Sequence, residues 1–259
     1  MLRQALRHTT AFLILTLLLG VGIWGAYESA KKSAALPLEA EIMEITNVGP
    51  SLSAEQQVAV IRSRSSAVQV VSLDLQDGGI SLSSGTYVTF RKSFFILTTS
   101  HGVGGVCALT QIVADDILYD CKGYVLRDPQ TDYMVIQIEK IPGRTPVDVT
   151  RHTPHRSQWK HELATQNTIF YTGFPNQGGP YTFDGKIVAY VEDEALFVDS
   201  YGWSGSSGAG VFSAQGHLIG WVMALEVGET YFGRQVLENF VWVIPLFKVN
   251  WPAVGAFAN

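Results

Sequence analysis

The chain has 259 residues, 47% apolar and 16% charged, which suits one medium-sized globular domain with additional segments. A formal net charge of −5, with no stripe of basic and aromatic residues, gives no reason to expect a nucleic-acid partner. Frequent glycine (25 residues) among short runs of Val, Ile, Thr, Phe and Tyr is the composition of a β-rich protein with many tight turns.

Residues 9–27, TTAFLILTLLLGVGIWGAY, carry no charge and follow Arg3, Arg7 and His8. A stretch of this length just spans a bilayer as a helix, and Trp24 and Tyr27 stand at its outer end, where interfacial aromatics are favoured. The rival reading is a cleaved signal peptide. Trp24/Ala26 and Glu28/Ala30 put a large or charged side chain where cleavage wants a small one, and Ser33/Ala35 lies beyond Lys31 and Lys32. An uncleaved anchor is therefore expected, with residues 1–8 as a cytoplasmic stub and the rest of the chain on the non-cytoplasmic side. Residues 28–50, with Pro37 and Gly49-Pro50, read as a linker.

The segment 51–64 is expected to be a short helix, with Ser53 as its N-cap and Glu55 and Gln56 in its first turn. Strand patterns follow at 67–75, 84–90, 94–99, 133–139, 167–173, 185–192, 194–200, 209–214, 217–225 and 239–246, separated by turn material such as PNQGGP and AQG. Short strands without an intervening long helical period argue for an all-β sandwich or barrel over 51–250, with 251–259 as a tail able to form a closing helical turn. Cys107 and Cys121 can pair in an oxidising compartment or stand as two unrelated buried thiols; the apolar flank VGGVCAL favours the thiols. No CxxC or Cys/His spacing suggests zinc.

Three segments carry chemistry. In GWSGSSGAGVF (202–212), small residues allow the backbone to approach a substrate closely, and the N–H groups of Gly205 and Ser207 are spaced to converge on a developing oxyanion. The segment then enters a strand, and Ala209 breaks the G-x-S-x-G spelling of the hydrolase elbow. In SFFILTTSHGVGG (93–105), His101 follows an apolar strand, a fixed place for a general base. In VLRDPQTDYMVIQIE (125–139), Asp132 precedes an apolar strand, where a carboxylate can hold imidazole Nδ1–H; Asp128 is the competing carboxylate in a more turn-like setting. Each context alone is commonplace, and their occurrence together within one β domain is not. His152, His155 and His161 lie in RHTPHRSQWKHE, read as a solvated connection between strands, and His217 after a Gly turn is expected to be exposed. The tryptophans read as core or interface residues.

From about 65 to 250 the chain resembles the trypsin-like peptidase domain, most closely its HtrA (DegP-like) branch, through SGTYVTF…ILTTSHGV, RDPQTDYMVIQI, YTGFPNQ, VDSYGWSGSSGAGV and FVWVIPL in that order. The resemblance implies two packed six-stranded antiparallel β-barrels of chymotrypsin-like type and serine endopeptidase activity through an acyl-enzyme. His101, Asp132 and Ser207 would form the triad and the Gly205 and Ser207 amides the oxyanion hole, with no metal or organic cofactor. The branch's GNSGGP reads GSSGAG here, Ser206 stands where digestive proteases carry Asp, Gly102 replaces the cysteine beside the histidine, and no PDZ-like module follows. By position, Ser200, Tyr201, Met223, Ala224 and Leu225 would line the pocket for the residue before the scissile bond (P1). With no acidic residue there, a small-to-medium apolar side chain is expected. The implied partners are a protein or peptide substrate and, through the N-terminal helix, a membrane. The alternatives are a catalytically inactive binding or scaffold module, against which the intact triad speaks, and a viral or phage processing protease of the same chemistry.

Overall fold

The computed structural model describes residues 52–74, 78–191, 195–230 and 233–257. The expected stub, anchor and linker (1–8, 9–27 and 28–50) lie outside the described residues, among which no helix is long and apolar enough to cross a membrane. Helix α1 (Ala54–Ser66) starts where its polar residues can satisfy the first free amides: Ser53 Oγ accepts from Gln56 N–H (3.2 Å) and Gln56 Oε1 accepts from Ser53 N–H (2.9 Å). Its buried side carries Ala59, Val60, Ser63 and Ser66. Ser63 Oγ donates to Thr172 Oγ1 (2.8 Å) and Arg62 to the Gly216 carbonyl, which seats the helix on the second half of the domain.

The first half is a sheet of eight strands: β1 (Ala67–Leu73), β2 (Ile80–Phe90), β3 (Ser93–Thr98), β4 (Thr110–Ala114), β5 (Ile117–Asp120), β6 (Gly123–Asp128), β7 (Tyr133–Ile138) and β8 (Val147–Asp148). Their order is β5-β4-β1-β2-β3-β7-β6, with β8 pairing β2. The second half is a closed barrel of β9 (Thr168–Gly173), β10 (Tyr181–Val191), β11 (Ala195–Asp199), β12 (Gly210–Ser213), β13 (Leu218–Thr230) and β14 (Gly233–Pro245), ordered β10-β11-β14-β13-β12-β9. This is the all-β, chymotrypsin-like double barrel that the resemblance implies, with two departures. The first half has eight strands and an open hydrogen-bonded path where six closed strands were expected, and β8 joins β2 in parallel. Strands β4, β5 and β6 escaped the sequence reading because each is only four to six residues long, too short for a clear period, and β5 is also mostly exposed.

One apolar cluster fills the sheet (Val68, Val70, Tyr87, Ile96, Met134, Ile136) and another the barrel (Ile169, Tyr171, Ile187, Val198, Val211, Val243). A third joins the two: Phe95, Leu97, Tyr133 and Val135 from the first half meet Phe170, Phe212, Trp221 and Ile244 from the second, closed by Ala59 and Val60 of α1. Helix α3 (Trp251–Ala256) adds fully buried Val254 to this cluster, so the segment set apart as a tail packs with the domain. Trp221 is completely buried, with the ring of Tyr133 edge-on at 5.8 Å. Burying a side chain of this kind contributes about 2–3 kcal/mol, which makes the junction a stabilising core and not a mere contact.

Three expectations change. Cys107 and Cys121 form a disulfide (Cα–Cα 5.4 Å) at the two ends of the β4–β5 hairpin, and neither is fully buried. The apolar flank misled because its burial stops at Val103, while Val106, beside Cys107, is 59% exposed. His217 is not free in solvent: its Nδ1 lies 2.8 Å from Oε1 of Glu162, a buried carboxylate in helix α2 (Trp159–Glu162). The RHTPHRSQWKHE connection is only partly solvated, because its backbone at His152 accepts from Leu218 N–H (2.7 Å) and burial pushes the His152 imidazole below its ordinary range. Of the described tryptophans, Trp203 stands apart as exposed, beside the serine loop.

Candidate active site

The β3–β7 ladder pairs Thr98 with Met134 in antiparallel register. His101, three residues past Thr98, and Asp132, two residues before Met134, therefore emerge at the same end of the sheet. There Asp132 Oδ1 accepts from His101 N–H (2.9 Å), and Oδ2 lies 2.7 Å from His101 Nδ1. A carboxylate only accepts, so Nδ1 carries the proton and the Nε2 lone pair is left for a reacting hydroxyl. The His101 side chain is 54% exposed and that of Asp132 16%, so the imidazole is open to solvent while its carboxylate partner is sheltered. Asp132 holds φ +54°, a left-handed conformation that a non-glycine residue adopts at some cost. Trp221 Nε1 donates to the Asp132 carbonyl (3.3 Å) from the second barrel and steadies it.

Asp128, the competing carboxylate, is committed elsewhere. It accepts from Gln130 N–H (2.9 Å), Thr131 N–H (3.1 Å) and Thr131 Oγ1 (3.0 Å), a turn that the short polar segment Asp-Pro-Gln-Thr favours. The Thr131 amide, together with these further donors, holds its carboxyl below the usual carboxylate range.

The serine loop, 202–209, hangs between β11 and β12 and is bound to the first half through Ser84 of β2. Ser84 N–H donates to the Ser207 carbonyl (2.8 Å), Ser84 Oγ donates to the Gly205 carbonyl (2.7 Å), and the same hydroxyl accepts from Phe174 N–H (2.9 Å). Asn176 N–H donates to the Ser204 carbonyl (2.7 Å), so the YTGFPNQ segment buttresses the loop from behind. Gly205 has φ +98°, a backbone conformation that turns its amide and suits glycine. Among the described residues, the N–H groups of Gly205 and Ser207 take no internal acceptor. The Ser207 hydroxyl donates to the Met223 carbonyl of β13 (3.0 Å) and makes no hydrogen bond to His101. The structure thus brings His101 and Asp132 into contact and leaves Ser207 turned towards β13.

The expected pocket residues divide. Ser200 is buried with its hydroxyl on the Asp184 carbonyl (2.7 Å). The Tyr201 ring lies 5.5 Å from that of Phe183, partly in solvent, while its carbonyl accepts from the Tyr171 hydroxyl, whose pKa burial pushes well above the usual range. Met223, Ala224 and Leu225 lie in β13. Leu225 and Val241 close the space beside Gly202: a Cβ there would meet Leu225 Cδ2 at 2.5 Å and Val241 Cγ2 at 2.9 Å. Sequence reading missed Ser84, whose only signal is a run of small hydroxyl residues, ISLSSG, in the first half of β2.

A family model described as the trypsin-like peptidase domain matches residues 79–220. No curated protein matches the chain. Among solved structures, the chain is similar to the Rv3671c protease from M. tuberculosis in its active form, with TM-score 0.56 and 16% identity over 74% of this chain and 80% of that one. It is also similar to the serine endoprotease from Yersinia pestis, with TM-score 0.59 and 20% identity over 79% of this chain and 68% of that one. At such identities the likeness speaks to the fold.

Proposed function

Because the chain belongs to the trypsin-like peptidase domain family, we propose that it is a serine endopeptidase that cleaves peptide bonds through an acyl-enzyme, with Ser207, His101 and Asp132 as its triad. The observation that carries this reading is the two-point contact of Asp132 with His101, which fixes the imidazole in the tautomer a general base needs. Ser207 Oγ attacks the scissile carbonyl as its proton passes to His101 Nε2. The Gly205 and Ser207 amides take the oxyanion, and the imidazolium protonates the leaving amine. Water then repeats the cycle on the ester, with His101 again as base.

For this, the Ser207 hydroxyl must leave the Met223 carbonyl. One neutral hydrogen bond is worth about 0.5–1.5 kcal/mol net, roughly a factor of ten in rate, against a triad contribution of about 10⁴–10⁶. The rotamer is therefore a resting state that catalysis readily overcomes, and it does not favour an inactive scaffold.

The Cys107–Cys121 disulfide supports a peptidase domain on the non-cytoplasmic side of a membrane, since such bonds persist in oxidising compartments. Residues 9–27, as a single uncleaved span, would tether it there. Leu225 and Val241, crowding Gly202, support a shallow apolar pocket that takes a small P1 side chain such as alanine or valine. Cleavage of a peptide library by the full-length chain is expected to fall mainly after small apolar residues. Dominance of basic, acidic or large aromatic P1 residues would overturn the specificity, and a failure to cleave any peptide would overturn the activity.

A further inference from the structure

The β6–β7 hairpin grips the His101 loop at two places, and Asp132 is only one of them. Arg127, near the end of β6, pairs with Met134 of β7 and so emerges at the same end of the sheet as Asp132. Its Nε–H donates to Ser100 Oγ (2.9 Å), and Nη2–H donates to the carbonyls of Ser100 (3.2 Å) and Val103 (3.3 Å). Those two carbonyls bracket His101. From the other side, Ser81 Oγ donates to the Gly102 carbonyl between them (2.9 Å). The nearby Asp128 carboxylate is taken up by its own turn. Among the described residues Arg127 forms no salt bridge, so its hydrogen bonds go to the loop that carries the base.

We propose that Arg127 is a positioning residue for His101: by fastening Ser100 and Val103 to the hairpin that bears Asp132, it holds the imidazole and its carboxylate in one rigid frame. Five hydrogen bonds from one hairpin, two at Asp132 and three at Arg127, converge on Ser100, His101 and Val103. A planar guanidinium suits this task because its donors lie in a fixed fork, which a lysine ammonium cannot reproduce. Arg127 is exposed and forms no salt bridge among the described residues, so its removal leaves no stranded buried charge. Loss of the clamp therefore acts on geometry more than on stability, and a base displaced by about 1 Å can lose about 10²-fold in rate.

The proposal rests on His101 being the general base, and its test separates the two ideas. Arg127→Ala and Arg127→Lys are made in the full-length chain. Peptide hydrolysis is measured beside the imidazole ¹⁵N resonances of His101, assigned by their loss in His101→Gln. Arg127→Ala is expected to lower kcat by about 10- to 100-fold, with KM within about threefold. Its His101 resonances should move from the Nδ1–H form towards a mixture of tautomers. Arg127→Lys, which keeps a donor but not the fork, should restore only part of kcat and part of the tautomer bias. Unchanged kcat and unchanged resonances in Arg127→Ala would overturn the proposal. So would a loss of kcat that merely follows the loss of folded protein while the folded fraction keeps wild-type His101 resonances. If the wild type hydrolyses nothing, the peptidase reading fails on its own, and the resonances still decide whether Arg127 positions the imidazole.

Discussion

Asp132→Asn is expected to lower kcat by about 10⁴-fold while leaving the fold intact. The carboxylate accepts from both His101 N–H and the Nδ1 proton, and in the proposed mechanism it would offset the charge that develops on the imidazole. An asparagine offers one acceptor and one donor at those two places. Whichever way it turns, either the backbone contact is lost or the amide favours the wrong tautomer. Asp128→Asn is the matched control. It preserves an acceptor for the turn amides and gives up at most the hydroxyl contact from Thr131, worth about 1 kcal/mol, so its rate should stay within roughly fivefold of wild type. Steady-state hydrolysis of one peptide by the two variants checks this. Similar losses in both, or a larger loss in Asp128→Asn, would reassign the orienting carboxylate.

The second large effect is on stability. Gly208→Ala is expected to destabilise the domain by more than about 4 kcal/mol, well into the range in which single substitutions are exceptional. Gly208 holds φ +91°, and a Cβ there would lie 2.0 Å from the Ser84 carbonyl oxygen and 2.4 Å from Thr98 Oγ1. Neither neighbour can yield cheaply, because the two are bonded to each other (2.7 Å) within the paired strands β2 and β3. The adjacent Ser84–Ser207 bond would be lost together with the clash. For a domain of this size the shift in Tm should be about 8 °C or more. Gly143→Ala separates strain from clash: Gly143 also has positive φ (+78°) but nothing within 4 Å, so only about 1–2 kcal/mol of backbone strain is expected. Thermal unfolding of both variants, in a Ser207→Ala background to prevent self-cleavage, measures the difference. Equal shifts would mean that the serine loop does not press against β2 as described.

What the sequence made legible follows from the range of the interactions involved. His101 and Asp132 could be read because each stands at the end of an apolar strand, and pairing of β3 with β7 is what two such strands do. The helix start at Ser53 was legible for the same reason, since the capping box closes over three residues. Ser84 and Arg127 were not legible. Ser84 takes its meaning from Phe174 and Gly205, 90 and 121 residues away, and Arg127 from a loop 24 and 27 residues earlier. Nothing local marks a serine in a strand or an arginine beside a turn as a clamp. Strands β4 to β6 were missed because each is only four to six residues long, and the disulfide at the ends of β4–β5 was misjudged from an apolar flank in which Val103 is buried but Val106, beside Cys107, is exposed. The orientation of the Ser207 hydroxyl could not be read at all, because a rotamer depends on the Met223 carbonyl delivered by β13.

The proposed chemistry requires Ser207 to be a nucleophile activated by His101. Reaction of the folded full-length chain with a fluorophosphonate probe, followed by mass mapping of the adduct, tests it most directly. One adduct per chain is expected, on Ser207, absent in Ser207→Ala and formed far more slowly in His101→Ala. A folded wild-type chain that stays unlabelled, or an adduct that persists in Ser207→Ala, would contradict it.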